Sequence, residues 1–239
     1  MPQSQTACDS RDLEAAEARI ARLDSTLKDW PNLARYREAN VKIPAPAKNE
    51  KRVVFMGDSI TDIWAKPQMA PFFPGKHYIG RGIGGQTTPQ MLLRFRHDVI
   101  ALEPRVVVIL AGTNDIAGNT GPMSLEEIES NLASMTELAR THGIKVVLSS
   151  VLPVYDANRN ERREPKMTDS RPPEKIVALN DWIKKYCAGH RLVYLDYFSA
   201  MVDDKGFLRR DLSDDGLHPN KAGYSVMAPL AERAIARAR

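Results

Sequence analysis

The run Val106-Val107-Val108-Ile109-Leu110-Ala111 is apolar at every position and β-branched at the first four. A strand with one wet face alternates apolar and polar residues, so an unbroken run demands cover on both faces. Residues 52–56, 77–80, 145–151 and 192–196 carry the same character more weakly. Helical patterns separate these runs. Thr88-Pro89 opens one, with proline in the first turn, and it extends to about residue 100. Ser124-Leu125-Glu126-Glu127 is a capping box that opens a helix to about His142, closed by Gly143. Residues 173–187 and 219–239 supply two more. Strands alternating with helices predict an α/β fold, a parallel sheet covered on both sides. Ligands in such sheets bind outside the carboxyl ends of the strands.

The chain of 239 residues is long enough for this core, and residues 48–239 are expected to form it. Residues 1–47 read as an extension. Leu13, Ala16, Ile20, Leu23 and Leu27 recur every three or four positions, which predicts a helix over residues 10–30. That stripe suits docking on the main domain, or a short coiled coil and hence a homodimer instead of a monomer. Residues 41–47, with Pro44 and Pro46, read as an extended linker. No stretch approaches the roughly 20 apolar residues that span a bilayer. The net charge of +4 is spread along the chain, which argues against a nucleic-acid partner. Two cysteines exclude a thiolate-rich metal site, and a Cys8–Cys187 disulfide stays open. The first 30 residues hold no apolar leader core. The compartment therefore stays open between periplasmic or secreted, after removal of a leader, and cytoplasmic.

The strand ends hold the chemistry-bearing residues. Ser59 follows the first strand beside Gly57, where a tight turn exposes a hydroxyl and an N–H. His218 stands three residues after Asp215, close enough for the carboxylate to hold one ring nitrogen and leave the other to take the serine proton. His77, His97, His142 and His190 lack such a partner. Gly85, in a glycine-rich turn, and Asn114, after the strongest strand, can donate hydrogen bonds to an oxyanion.

Gly57-Asp58-Ser59-Ile60, Gly84-Gly85-Gln86-Thr87, Gly112-Thr113-Asn114-Asp115 and Asp215-Gly216-Leu217-His218-Pro219 resemble, in order, the four blocks of the SGNH (GDSL-type) hydrolases. Ile60 replaces the leucine of the family's eponymous motif. The turn at residues 81–88 most resembles the platelet-activating-factor acetylhydrolase-like branch and related carbohydrate acetylesterases. The resemblance implies a flavodoxin-like three-layer α/β/α fold with a five-stranded parallel sheet and an added N-terminal helix. It also implies a serine esterase acting through an acyl-enzyme, with no cofactor and no metal. Ser59, Asp215 and His218 become the triad, and Ser59, Gly85 and Asn114 the oxyanion donors.

Two competing patterns fail on context. Residues 80–85 fit G-x-G-x-x-G but do not follow the first strand, and Glu103 precedes the next strand instead of ending it. The nucleophile elbow of α/β-hydrolases, G-x-S-x-G, has Thr61 where its last glycine belongs. Ile60, Thr113 and Leu217 adjoin the expected catalytic residues and are expected to shape a short acyl pocket. Asp58 is expected to be a hydrogen-bonding turn residue. Trp64, Tyr155 and the arginine-rich residues 159–171 are expected on the alcohol side, where a sugar would stack on a ring or a phosphate would pair with arginine. The substrate expected is a small or carbohydrate ester, with a lysophospholipase or thioesterase as the alternative. A non-catalytic carbohydrate-binding relative would be expected to have lost Ser59 or His218.

Overall fold

The computed structural model describes residues 10–66, 68–69, 72–157 and 166–238. Helices α1 (Ser10–Lys28) and α2 (Arg37–Val41) precede strand β1 (Val53–Gly57) and helix α3 (Ser59–Trp64). Then follow β2 (Tyr78–Gly82), α4 (Thr88–Asp98), β3 (Val106–Leu110), α5 (Thr113–Ile116), α6 (Leu125–Thr141) and β4 (Lys145–Ser149). The chain ends with α7 (Met167–Ser170), α8 (Pro173–His190), β5 (Val193–Leu195), α9 (Phe198–Met201) and α10 (Lys221–Ala238). The sheet runs β2-β1-β3-β4-β5, parallel at every pairing.

Strand side chains alternate between faces, so each apolar run feeds two cores. Val54, Met56, Val107, Ile109, Val146 and Leu148 face α4, α6 and α8, packing on Met91, Phe95, Leu132, Met135, Leu179 and Ile183. Val53, Phe55, Val106, Val108 and Val147 face α3, α9 and α10, packing on Ile60, Met201, Tyr224, Met227 and Ile235. This is the expected three-layer α/β/α fold. Each fully buried Val, Leu or Ile contributes roughly 1.5–3 kcal/mol. Because β2 and β3 flank β1, the strand order reverses at β1, and the crevice beyond the β1 and β3 ends is the ligand position of such sheets.

The expected capping box of α6 is present, with Ser124 and Glu127 satisfying each other's backbone N–H. Helix α1 differs from the docked arrangement expected of its stripe. Leu13, Ile20, Leu23 and Leu27 are all more than half exposed, so no part of the main domain covers them. The chain that follows is fastened instead. Gln90 Nε2 donates to Trp30 O at 2.8 Å and Gln86 Nε2 to Pro31 O at 2.7 Å. Tyr36 donates its hydroxyl to Gly82 O, and its ring lies under the Arg81 guanidinium at 4.6 Å. Asn40 bonds Arg81 and Asp98, and Arg52 donates to Pro44 O. Cys8 lies outside the described residues; Cys187 is a free thiol in the core, pushed up to about 12 by burial. Among the described residues, no helix is long and apolar enough to cross a membrane.

One fully buried cation ties the ends of β1 and β2 together. Arg94 of α4 donates to Gly57 O at 3.0 Å, Arg81 O at 2.9 Å, Gln86 Oε1 at 2.5 Å and Asp98 Oδ2 at 3.0 Å. Truncating one partner of a buried ion pair strands the other charge and costs about 3–5 kcal/mol. Arg94→Met is expected to lose about that much in urea unfolding, because buried Asp98 loses its ion-pair partner. A loss under about 1 kcal/mol would show that Arg94 fastens nothing.

Candidate active site

The end of β1 builds the first element of the site. Asp58 caps α3, its Oδ1 accepting from Ile60 N at 2.9 Å. The next residue, Ser59, opens the helix, so its N–H is one of the first-turn donors with no carbonyl a turn earlier. Its side chain sits 2.9 Å, Oγ to Nε2, from His218. His218 Nδ1 lies 2.6 Å from Asp215 Oδ2, while Asp215 Oδ1 accepts from the backbone N–H of Leu217 and His218 at 2.9 and 2.8 Å. One carboxylate thus shapes the loop and orients the ring. Burial alone would raise the Asp215 carboxyl, but the bonds from His218 and Leu217 hold it down at about 2, ionised throughout the neutral range.

That loop is braced from the segment that follows β4. Tyr155 donates its hydroxyl to Ser213 O at 2.8 Å and its N–H to Gly216 O at 3.0 Å. Gly216 has φ +85°, and a Cβ there would collide with Tyr155 O, so only glycine lets the two segments approach.

The ends of β2 and β3 complete the site. Gly85 has φ +76°, a conformation glycine adopts freely. A Cβ placed on neighbouring Gly84 would come 3.8 Å from Ser59 Cβ, so this turn lies against the serine. Asn114, one residue into α5, donates Nδ2 to Gln86 O at 3.0 Å. Its Oδ1 accepts from Arg171 at 3.2 Å, and Arg171 also donates to Thr113 Oγ1 at 3.1 Å. Those bonds fix the amide with its NH2 group towards the β2 turn and leave the second amide hydrogen for a ligand.

The structure therefore brings Ser59, Asp215 and His218 into one bonded chain, with the Gly85 turn and Asn114 beside it. The outer expectations land elsewhere. Trp64 is 3% exposed and enclosed by the rings of Phe55, Phe72, Phe73 and Tyr224, with no face left for a sugar. Tyr155 is nearly as buried, and its hydroxyl is committed to the His218 loop. Ile60 and Leu217 are buried in opposite core layers. Thr113 is buried under Arg171, which is spent on Thr113 and Asn114 and not free for a phosphate. Residues 159–165 of the arginine-rich stretch lie outside the described residues. Sequence reasoning missed Arg94 and the role of Arg171. An arginine on an otherwise apolar helix face (Met91, Phe95), with Asp98 four residues on, was the available signal for Arg94. Among the described residues, no group of three or more His, Cys, Asp or Glu side chains is disposed to hold a metal ion.

Asp58 is 1% exposed, and its Oδ2 has no partner among the described residues. Burial raises its carboxyl from 3.8 to about 6, against the Ile60 N–H and the His218 and Arg171 charges that lower it. A raised carboxyl binds its proton more tightly folded than unfolded, so its ionisation destabilises the fold as pH rises from about 4 through 6. The displacement corresponds to roughly 3 kcal/mol at most. Asp58→Asn keeps an acceptor for Ile60 N and removes the charge. Its thermal stability relative to the parent chain is expected to be higher at pH 8 than at pH 4.5. A difference independent of pH contradicts this.

Comparison with known proteins agrees with this geometry. The model of the GDSL-like Lipase/Acylhydrolase family matches residues 55–226. The structure of a GDSL-like lipase from Bacteroides thetaiotaomicron superposes with a TM-score of 0.79 at 44% identity, covering 87% of this chain and 99% of that one. The acetylxylan esterase Axe2 of Geobacillus stearothermophilus shares the fold, with a TM-score of 0.60 at 21% identity over 81% of this chain and 96% of that one. An acetylxylan esterase of Xylanibacter ruminicola is 25% identical over 81% of this chain and 45% of its own length. The chain spans less than half the length of the curated relatives it matches. With its strand order, its serine–histidine–aspartate chain and a family match across most of its length, this protein belongs to the GDSL-like lipase/acylhydrolase family.

Proposed function

We propose that this chain is a serine esterase that removes short acyl groups, chiefly acetyl, from carbohydrate esters through an acyl-enzyme. The observation that carries the reading is the Ser59 Oγ–His218 Nε2–Asp215 alignment at 2.9 and 2.6 Å. In the first step Ser59 Oγ attacks the ester carbonyl carbon while its proton passes to His218 Nε2. The carbonyl oxygen becomes an oxyanion, received by the Ser59 and Gly85 N–H groups and the Asn114 amide. Collapse expels the alcohol, which takes the proton from His218. In the second step water gives its proton to His218 and its oxygen to the acyl carbon, and Ser59 leaves with that proton as the acid departs. Ionised Asp215 stabilises the imidazolium in both steps. Arg171 positions Asn114.

The acetyl part of the reading is supported by the names of relatives. Two of the relatives above carry the name acetylxylan esterase.

Ser59→Ala is expected to lower hydrolysis of p-nitrophenyl acetate by at least about 10⁴-fold. Asn114→Ala is expected to lower kcat by about 10²–10³ with KM nearly unchanged, because its contact forms with the oxyanion. Retained activity in Ser59→Ala overturns the mechanism. Across a p-nitrophenyl ester series, kcat/KM should fall from acetate to octanoate. The reverse order replaces the acetyl reading with a lipid acylhydrolase.

A further inference from the structure

A cleft of about 1010 Å³ opens beside the glycine turn. Gly84, Gly85 and Gln86 form its floor, Asn119 and Thr120 one wall, and Trp30, from the turn after α1, the other. The family match begins at residue 55, so the Trp30 wall lies outside it.

The walls are built, not incidental. Asp29 accepts from Leu33 N and Ala34 N at 2.7 and 2.9 Å, which closes the turn carrying Trp30. Gln90 and Gln86 hold the carbonyls of Trp30 and Pro31 from below. Asn119 Nδ2 donates to Gly85 O at 3.0 Å, and the Thr120 and Thr87 hydroxyls meet at 3.0 Å. The floor is the turn that lies against Ser59. A ligand in the cleft therefore lies next to the glycine turn that abuts Ser59.

The lining selects the alcohol. Trp30 is 37% exposed and offers an apolar ring to the cleft. The amides and hydroxyls opposite offer donors and acceptors. Asp24 and Asp29 also line the cleft, and Lys28 there is already paired with Asp24 at 2.6 Å. A phosphate head group would meet that surplus of carboxylate, and a lipid tail would meet polar walls. A sugar ring, neutral, edged with hydroxyls and apolar on one face, satisfies both the indole and the polar side.

We propose that this cleft is an alcohol-side subsite for a chain of neutral sugars, with Trp30 as its stacking platform. The proposal rests on the esterase reading for its orientation, and its test has an arm that does not. The ratio of kcat/KM on an acetylated xylo-oligosaccharide to kcat/KM on p-nitrophenyl acetate is compared across the parent chain, Trp30→Ala and Trp30→Phe. Trp30→Ala should lower that ratio about tenfold, mainly through the oligosaccharide KM, for the loss of one stacked ring. Trp30→Phe, which keeps a ring, should stay within about threefold of the parent. An unchanged ratio in Trp30→Ala overturns the platform. In the independent arm, unacetylated xylotetraose is titrated calorimetrically into Ser59→Ala with and without Trp30→Ala. Heat of binding that disappears with Trp30→Ala supports the subsite. No binding to Ser59→Ala overturns it, even where ester hydrolysis stands. Sugar binding in a parent chain that cleaves no ester leaves the subsite in place and removes the esterase reading.

Discussion

Where β1 and β2 stop, the wholly buried Arg94 guanidinium adds its donors to the carbonyls of Gly57 and Arg81, beside the sheet bond that Gly57 O accepts from Ile83 N–H at 3.1 Å. It takes the Gln86 side chain and Asp98 besides. Burial pulls its pKa down and Asp98 opposes that pull. The two strand ends so joined carry Ser59 and the Gly84-Gly85 turn. The separation of Ser59 from the glycine turn is therefore held by a helix side chain that bonds neither, together with the sheet bond from Ile83 N–H to Gly57 O.

The same linkage runs outward to the N-terminal segment. Gln86 accepts from Arg94 and donates to Pro31 O, so the turn carrying Trp30 is connected through two side chains to the end of β1. Arg171 does similar work on the other side of the crevice, holding Asn114 and Thr113 at the end of β3. Buried arginines thus fasten the segments at and just beyond the strand ends. Their fork of donors suits that task, since one planar group can satisfy several carbonyls in different directions.

Much of the fold was legible in the sequence because its signals are local. The unbroken run at residues 106–111, the Ser124 capping box and the Thr88-Pro89 start all depend on neighbours within a turn or two. The Asp215–His218 pair was legible for the same reason, being one turn apart. What escaped depends on contacts across long stretches of sequence. Arg94 lies on the apolar face of α4 with Met91 and Phe95, but its partners, Gly57 O and Arg81 O, come into view only when α4 is seen against β1 and β2. Trp64, at the end of the helix that Ser59 opens, was expected at the ligand, but helical periodicity turns it inward with Ile60 onto Phe55 and Tyr224. Trp30, far from any motif, reaches the cleft only because Gln86 and Gln90 fasten its turn. The α1 stripe promised burial, yet the main domain offers it no complementary face.

The central claim is that the strand ends make Ser59 a nucleophile through His218. The direct measurement is covalent labelling with an alkyl fluorophosphonate, which traps an activated serine, followed by peptide mapping by mass spectrometry. The account predicts one labelled residue, Ser59, and loss of the label in His218→Ala. A label on another serine, or ester hydrolysis by a chain that takes no label at Ser59, would contradict it.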